Sequence, residues 1–305
     1  MDAISTNQSP FEGRTQFIDY QRLDKLFYLG SYTRRLPVSL TRMMENAFDW
    51  AHLPFIHAST FHHMSLVEEG NWGWRAEVGS AKSAGTKRSM LELLVDVDNH
   101  YWATTVVSGI GKGIEIHTKA QAVSARLIKI EVRFYLPQRV DWFRKKLSYF
   151  YLKNQYRNLY DEDDQLMQDR QSSIDDKKRW REQTSPQDGL LFVGKVSQLD
   201  ANKVHVVEAG KGRYCVALVQ GQWHAYSAVC PHQLGKLDDA KIERQWEVSC
   251  PWHGYRFDVR SGENLGNHCA NLHVPKTLVL DGNLFIDTIH NSTSGTPTPE
   301  TALAR

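Results

Sequence analysis

The segment "CPHQLGKLDDAKIERQWEVSCPWHG" constrains this chain more than any other. It holds two short loops, each with one cysteine and one histidine: Cys230 and His232, then, after seventeen intervening residues, Cys250 and His253. Two thiolates on one iron and two imidazoles on the other form the mixed ligand set of a [2Fe–2S] cluster. Because neutral imidazoles replace two thiolates, such a cluster carries less negative charge and has a higher reduction potential.

A zinc ion held by the same four side chains is the alternative. Zinc fingers commonly group their two cysteines first and place the two histidines later, on a helix. Here cysteine and histidine alternate, and the neighbouring runs are strand-like. A proline follows each cysteine, and Gly254 suits a tight loop whose backbone N–H groups can reach cluster sulfurs. We therefore predict an iron–sulfur cluster rather than zinc.

These loops resemble those of the Rieske family. The resemblance covers roughly residues 189–289 and includes the ligand spacing, "CPH", "CPWHG" and the strand–turn–strand run "LVLDGNLFI". It implies a small all-β domain with a [2Fe–2S] cluster on Cys230, His232, Cys250 and His253. The other two cysteines, Cys215 and Cys269, lie outside this pattern and are expected to be buried small side chains.

The stretch "NAFDWAHLPFIH" raises the question of a second metal. Asn46, Asp49 and His52 are spaced to share one side of a helix, since each helical residue turns by about 100°. Pro54 is expected to end or kink that helix and let His57 return beside His52. Two histidines and one carboxylate form the facial triad of non-haem Fe(II) oxygenases. Taken alone, the stretch is more simply a polar helix end.

With the cysteine–histidine loops on the same chain, this spacing resembles the catalytic-iron motif of Rieske non-haem iron oxygenases. The resemblance implies that His52 and His57 hold a mononuclear Fe(II), with Asn46 and Asp49 as further catalytic residues. In that family Asp49 would bridge electron transfer from a Rieske histidine, His232 or His253, of a neighbouring subunit. It also implies a cyclic homo-oligomer, most simply a homotrimer. The domain order is reversed relative to typical members, which we interpret as a permuted arrangement.

The third iron ligand in the family is an aspartate on a late helix. The run "YDEDDQLMQDRQ" is similar to the corresponding segment of vanillate demethylase-like members and places the ligand at Asp163. Asp164 and Asp161 are the alternatives, because a run of acids leaves the register open. On its own, such a run is simply a solvated helix N-terminus, where acids are favoured.

Hydrophobic patterning separates two regions of the chain. From about residue 64 to 136, short alternating runs separated by turns such as "SGIGKG" predict an antiparallel meander. Helical stretches follow at residues 139–157 and from about Tyr160 to Trp180, and strand-like runs return after Gly189. Residues 1–36 are expected to form an irregular arm with a short helical piece, and Ser39 to cap a helix.

We therefore predict an α+β protein whose catalytic domain, residues 1–181, has the helix-grip (START-like) antiparallel sheet that the resemblance implies. A linker at 182–188, the Rieske domain at 189–289 and a disordered tail at 290–305 complete it. Large aromatic residues in the first domain are candidates for core or pocket: Trp72, Trp74, Trp102, Phe134 and Tyr135.

The resemblance implies an oxygenase that hydroxylates or oxidatively demethylates an apolar or aromatic small molecule with O₂. The sequence has no nucleotide-binding glycine fingerprint, so a ferredoxin or flavin reductase must supply electrons. An electron carrier or ligand-binding protein without catalytic iron is the alternative. The net charge of +2 gives no reason to expect nucleic acid as a partner. No secretory leader or membrane-spanning run is visible, so a cytoplasmic location is expected.

The basic helical stretch 139–157 leaves three interpretations open. Its apolar residues Val140, Phe143, Leu147, Phe150 and Tyr151 share one face. That face is expected first of all to pack on the sheet. Peripheral contact with an anionic membrane, or contact of the basic side with an acidic ferredoxin, are the alternatives.

Overall fold

The computed structural model describes residues 11–80, 87–182, 189–209, 212–244 and 246–288. The chain divides into two compact units, Met1–Gln171 and Ser172–Arg305. The predicted linker was 182–188; Glu182 is the last residue of a helix, and 183–188 lie outside the described residues, as does the predicted tail at 290–305. The predicted domain bounds stay a prediction. None of the helices in the described ranges combines the length and apolar character that crossing a bilayer requires.

The first unit is built on one seven-stranded antiparallel sheet. Its strands, in chain order, are β1 Phe27–Leu36, β2 Phe61–Gly70, β3 Gly73–Ser80, β4 Arg88–Asp96, β5 Tyr101–Ser108, β6 Glu115–Ser124 and β7 Leu127–Leu136. Strands β2 to β7 form a meander, and β1 pairs with β7 to give the order β1-β7-β6-β5-β4-β3-β2. The prediction of an irregular arm over residues 1–36 is therefore wrong for β1, because its pairing partner lies a hundred residues further along the chain.

In the described ranges three α-helices accompany the sheet: α1 Leu40–Phe48, α2 Leu53–Ile56 and α3 Trp142–Glu182. A 3₁₀ helix, Tyr20–Lys25, precedes β1 and is the predicted short helical piece. The predicted cap is confirmed, since the Ser39 side chain accepts a hydrogen bond of 3.2 Å from the Arg42 N–H. The two predicted late helical stretches are one helix of 41 residues. No glycine or proline occurs within it, so nothing in the backbone interrupts its hydrogen bonding.

Helix α3 packs on the sheet through aromatic side chains. The ring of Phe134 on β7 lies 6.2 Å from that of Tyr149 and 5.5 Å from that of Tyr156. The Tyr149 hydroxyl donates a 2.6 Å hydrogen bond to the Ser31 carbonyl on β1. A long helix held against an antiparallel sheet confirms the predicted α+β, helix-grip arrangement. The five predicted core or pocket residues are all buried: Trp72, Trp74, Trp102, Phe134 and Tyr135.

The face of α3 that meets the sheet differs from the predicted one. Phe143, Leu147 and Phe150 were expected to pack inward, yet each is more than half exposed. Tyr149, Leu152 and Tyr156 lie on the opposite side and make the contacts instead. Tyrosine satisfies both requirements of that position, because its ring packs while its hydroxyl bonds to the sheet.

The second unit contains three small antiparallel sheets besides the end of α3. Their strands are β8 Leu190–Lys195, β9 His205–Ala209, β10 Gly212–Val219, β11 Gln222–Ser227, β12 Ile242–Glu243, β13 Glu247–Ser249, β14 Arg256–Asp258, β15 Lys276–Leu280 and β16 Asn283–Asp287. The sheet orders are β11-β10-β9, β12-β13-β14 and β15-β16-β8. The two loops of the sequence analysis follow β11 and β13, so short strands set the position of both.

Candidate metal centres

The helix α1 ends earlier than the sequence suggested. Asp49 is its C-cap residue, Trp50–His52 form a 3₁₀ turn, and α2 begins at Leu53. Pro54 therefore does not end the first helix but lies in the first turn of the next one. A proline is tolerated there because a first-turn N–H has no partner within the helix. His52 and His57 consequently flank α2 as its N-cap and C-cap residues.

Asp163 on α3 meets both histidines. Its Oδ1 lies 3.3 Å from Nε2 of His52 and 2.9 Å from Nε2 of His57. One donor atom from each of the three side chains fits within 4.8 Å of the others, and all three residues are buried. Among the described residues, neither ring nitrogen of His52 nor Oδ1 of Asp163 has a partner with hydrogen-bond geometry. Buried polar atoms left in this way fit a metal ion held by two imidazoles and a carboxylate.

Two further carboxylates face the other side of each imidazole. Glu162 Oε2 lies 2.6 Å from Nδ1 of His57, and Asp49 Oδ2 lies 3.7 Å from Nδ1 of His52. At His57 the Glu162 carboxylate accepts a hydrogen bond from Nδ1 and so leaves Nε2 facing Asp163, as outer partners of metal-binding histidines do. At His52 the Asp49 carboxylate is an ion-pair neighbour beyond hydrogen-bond distance. Sequence reasoning missed Glu162, although it directly precedes Asp163 in the acid run.

The alternative ligands Asp161 and Asp164 point elsewhere. Both approach Arg34 on β1, Asp161 within hydrogen-bond distance and Asp164 at 3.7 Å. Asp164 also accepts a 2.9 Å hydrogen bond from Gln168, one helical turn on. Successive helical residues point about 100° apart, so of the three aspartates in this run only one can face the histidines.

Burial and neighbouring charges shift the pKa values of these side chains in opposite directions. Burial alone would lower the pKa of His52, but the carboxylates of Asp163 and Asp49 outweigh it and raise the pKa to about 9. The pKa of His57 is likewise raised, because Asp163 and Glu162 oppose the effect of its burial. Burial would raise the pKa of Asp163, yet its contacts with both histidines hold it well below the usual range. The metal-free site is therefore a buried set of charges of both signs.

A cavity of about 100 Å³ opens beside these side chains. Its apolar wall comes from the sheet, and its hydroxyl groups come from one strand and from α3. Asn46 also lines it, and the Asn46 Oδ1 atom is buried without a hydrogen-bond partner among the described residues. The residues that line the cavity include Leu91, Leu93, Trp74, Trp102, Thr104, Tyr156 and Tyr160.

The two cysteine–histidine loops of the second unit have matching backbones. In the first, the N–H of Leu234 bonds to the carbonyl of Cys230 at 3.2 Å; in the second, the N–H of Gly254 bonds to that of Cys250 at 2.9 Å. Leu234 and Gly254 both have left-handed backbone angles, with φ of 66° and 65°. Each loop thus turns back on itself four residues after its cysteine, which points cysteine and histidine in the same direction.

Side chains of the same type from the two loops lie next to each other. The rings of His232 and His253 are 4.6 Å apart and nearly perpendicular. The Cys230 and Cys250 thiols are neighbours, and their interaction raises the pKa of Cys230 and lowers that of Cys250. Thiol beside thiol and imidazole beside imidazole is the pairing that a cluster with two differently ligated irons needs.

The loops are closely packed at Gly235 and at Tyr255. A Cβ added at Gly235 would lie 3.0 Å from both the Cys250 sulfur and the Trp252 ring. Tyr255 lies against both imidazoles, at 4.8 Å from His232 and 5.6 Å from His253. Outside the pairing, Cys215 is buried as expected, whereas Cys269 is only half-buried.

Comparison with known proteins shows that the second unit contains a segment similar to a known family. Residues 189–275 match the family model described as the Rieske [2Fe-2S] domain. Human apoptosis-inducing factor 3 is 34 % identical over 80 residues, 26 % of this chain and 13 % of that protein. The ferredoxin component of the p-cumate 2,3-dioxygenase system of Pseudomonas putida is 32 % identical over 75 residues, 24 % of this chain and 61 % of that protein.

Among solved structures, the Zhui aromatase/cyclase from a Streptomyces species has a TM-score of 0.40 and 9 % identity, with 48 % of this chain and 95 % of that chain covered. The matched curated relatives thus share only a part of their length with this chain. The family-model match, residues 189–275, contains all four of the paired cysteine and histidine side chains. Residues 189–275 of this chain are therefore a Rieske [2Fe–2S] domain, a fold that implies an iron–sulfur cluster and a redox function.

Proposed function

We propose that this protein is a Rieske-type oxygenase. It would use O₂ and electrons from a separate ferredoxin or flavin reductase to hydroxylate, or oxidatively demethylate, an apolar or aromatic small molecule. The observation that supports this most is the buried convergence of His52, His57 and Asp163 on a chain that also carries a Rieske domain. An electron carrier alone has no use for a second buried set of metal-binding groups.

In this proposal Cys230, Cys250, His232 and His253 hold the [2Fe–2S] cluster, and the facial set in the first unit holds Fe(II). When bound, the cluster supplies single electrons, and a ferrous ion with three protein ligands leaves positions open for O₂. Glu162 accepts a hydrogen bond from His57 Nδ1, so that His57 Nε2 is available as a ligand, and Asp49 is the nearest carboxylate to His52 Nδ1.

The cavity wall favours apolar substrates. Trp74, Trp102 and Leu93 present rings and methyl groups, which remove water from the reacting region. Burial raises the pKa of both Tyr156 and Tyr160, so their hydroxyls stay neutral. Neutral hydroxyls can orient a polar group of the substrate without adding charge beside the metal-binding side chains.

Asp49 is proposed as the electron-transfer bridge to a Rieske histidine of a neighbouring copy, in a homotrimer. Its support is local: Asp49 lies at the end of α1 and approaches Nδ1 of His52. A carboxylate that contacts one metal-binding imidazole can accept a hydrogen bond from a second one across an interface. Asn46, buried beside it, lines the cavity.

The second candidate is an electron carrier without catalytic iron, favoured by the ferredoxin components among the relatives. Iron content separates the two. Anaerobically purified protein is expected to contain about three irons per chain as an oxygenase and about two as a carrier. Asp163→Ala should lose one iron while the EPR signal of the reduced cluster is unchanged, and the matched control Asp161→Ala should keep all the iron. Two irons in the unaltered protein would contradict the oxygenase.

A further inference from the structure

The first half of α3 carries a large apolar surface. Trp142 is 74 % exposed, Phe143 65 % and Phe150 62 %, and Leu147 and Tyr151 are also more than half exposed. Their spacing places all five on one side of the helix, and we call them the aromatic face. Soluble proteins rarely expose so many large apolar side chains together without a binding role.

The fold holds the aromatic face outward. On the opposite side of α3, Leu152 is buried and the Tyr149 hydroxyl bonds to the Ser31 carbonyl at 2.6 Å. Tyr149 and Tyr156 also contact the buried Phe134 on β7. Turning α3 to bury the aromatic face would expose Tyr149, Leu152 and Tyr156 of the helix and break that hydrogen bond. The exposed surface is therefore fixed by tertiary packing.

Positive charge surrounds the aromatic face. Residues 139–157 contain six lysines and arginines and a single acid, Asp141, which is paired with Arg144 at 3.4 Å. The Lys146 ammonium lies 5.7 Å from the centre of the Trp142 ring, so cation and apolar surface are adjacent. Lysine is depleted at protein–protein interfaces, whereas Trp, Phe and Leu beside Lys and Arg are typical of helices lying on membranes.

We propose that the aromatic face docks on an anionic lipid surface. The axis of α3 lies parallel to that surface, with Trp142, Phe143 and Phe150 at the boundary between headgroups and acyl chains. The exposed basic side chains then lie at the height of the lipid phosphates, where each contributes electrostatic attraction. The docking uses no residue of either metal centre, so it stands independently of the proposed oxygenase function.

The test is co-sedimentation of the full-length protein with vesicles of phosphatidylcholine, with and without phosphatidylserine. Binding is expected only with phosphatidylserine, and it should weaken as salt screens the charges. Phe143→Ser with Phe150→Ser should weaken binding at least tenfold, by the usual contribution of about one buried phenylalanine ring. Lys146→Glu with Lys153→Glu should weaken it by about fivefold or more for each lysine.

A matched control changes exposed residues of the same kinds elsewhere: Val123→Ser with Lys129→Glu, on β6 and β7. This control should bind vesicles as the unaltered protein does. Circular dichroism establishes that every variant is folded, and sedimentation velocity gives its oligomeric state. Equal vesicle binding by the phenylalanine variant would overturn the proposal. So would a protein that ignores the vesicles and loses its oligomeric state on the same substitutions, since the face would then join copies of the chain.

Discussion

The two candidate metal centres differ in how far apart their side chains lie along the chain. All four side chains of the Rieske domain come from Cys230 to His253, on two loops that close by their own backbone hydrogen bonds. The centre in the first unit joins the short helix α2 to Asp163, about a hundred residues later, on a helix positioned by the sheet. A local centre can be identified from spacing, whereas a long-range centre depends on packing throughout its domain.

The strongest test of this difference is to remove one local side chain. Cys250→Ser takes away one thiolate of the pair and leaves Cys230 alone, so we expect complete loss of the [2Fe–2S] cluster. Visible absorption and EPR of the reduced protein measure this. Because the other centre lies in a separate unit, it should keep its single iron; loss of all iron would contradict two independent centres. Cys215→Ser is the control, since Cys215 lies outside the paired side chains.

The long-range centre should make the stability of the metal-free protein depend on pH. The folded pKa of His52 is raised from 6.5 to about 9. Its contribution to stability is therefore fully present below pH 6.5 and is lost as the pH rises through about 9. The loss should amount to roughly 3 kcal/mol. Urea unfolding of the chelator-treated protein at both ends of this range measures it. His52→Gln should reduce the dependence to the part contributed by His57, whose pKa is also raised, and His62→Gln, at an exposed histidine, should leave it unchanged.

Glu162 offers a smaller change at the long-range centre. Glu162→Gln removes the negative charge at 2.6 Å from His57 Nδ1 but retains the shape of the side chain. Loss of such an outer partner typically weakens metal affinity by about 10- to 100-fold. Competition titration of Fe(II) or Co(II) against a chelator measures the affinity. Asp164→Asn, one residue beyond Asp163, is the control, and an equal loss in both variants would argue against a specific role for Glu162.

Gly235→Ala is the substitution at the cysteine–histidine loops with the smallest expected effect. The added methyl would approach the Cys250 sulfur and the Trp252 ring at 3.0 Å, so a small shift is required. We expect destabilisation of about 1 kcal/mol, at the lower end for added bulk in a packed site. Thermal unfolding of the cluster-containing protein, followed by visible absorption, measures it. Gly189→Ala is the control, because nothing lies within 4 Å of its added Cβ; a larger loss there would contradict this explanation.

Much of the fold was predictable wherever the pattern was local. Six strands of the first sheet were expected from alternation, and the Asp281–Gly282 turn of the final hairpin has the positive φ values that this residue pair favours. Strand β1 was missed, since its edge position and its arginines obscure the alternation, and only pairing with β7 makes it a strand. The predicted division of α3 into two helical stretches was wrong, because acids and tyrosines interrupt the apolar periodicity without interrupting the helix.

The candidate long-range centre was predictable only in part. Spacing suggested His52 and His57, and a resemblance selected Asp163 from a run of acids. The role of Glu162 could not be deduced, since which neighbour faces His57 depends on the rotation of α3 against the sheet. The same rotation decided that Phe143 and Phe150 face outward, against the expectation from their apolar character.

The sequence by itself determined the Rieske domain, because its four paired side chains lie close together in sequence on two short loops that close by their own backbone hydrogen bonds. Only the tertiary structure decided which carboxylate meets His52 and His57, and which side of α3 remains exposed. The physical reason is that an isolated helix exposes all of its sides to solvent, and only packing on the sheet determines which side is buried. Contacts of Tyr149 with β1 and of Tyr156 with β7 determine which side of α3 is buried.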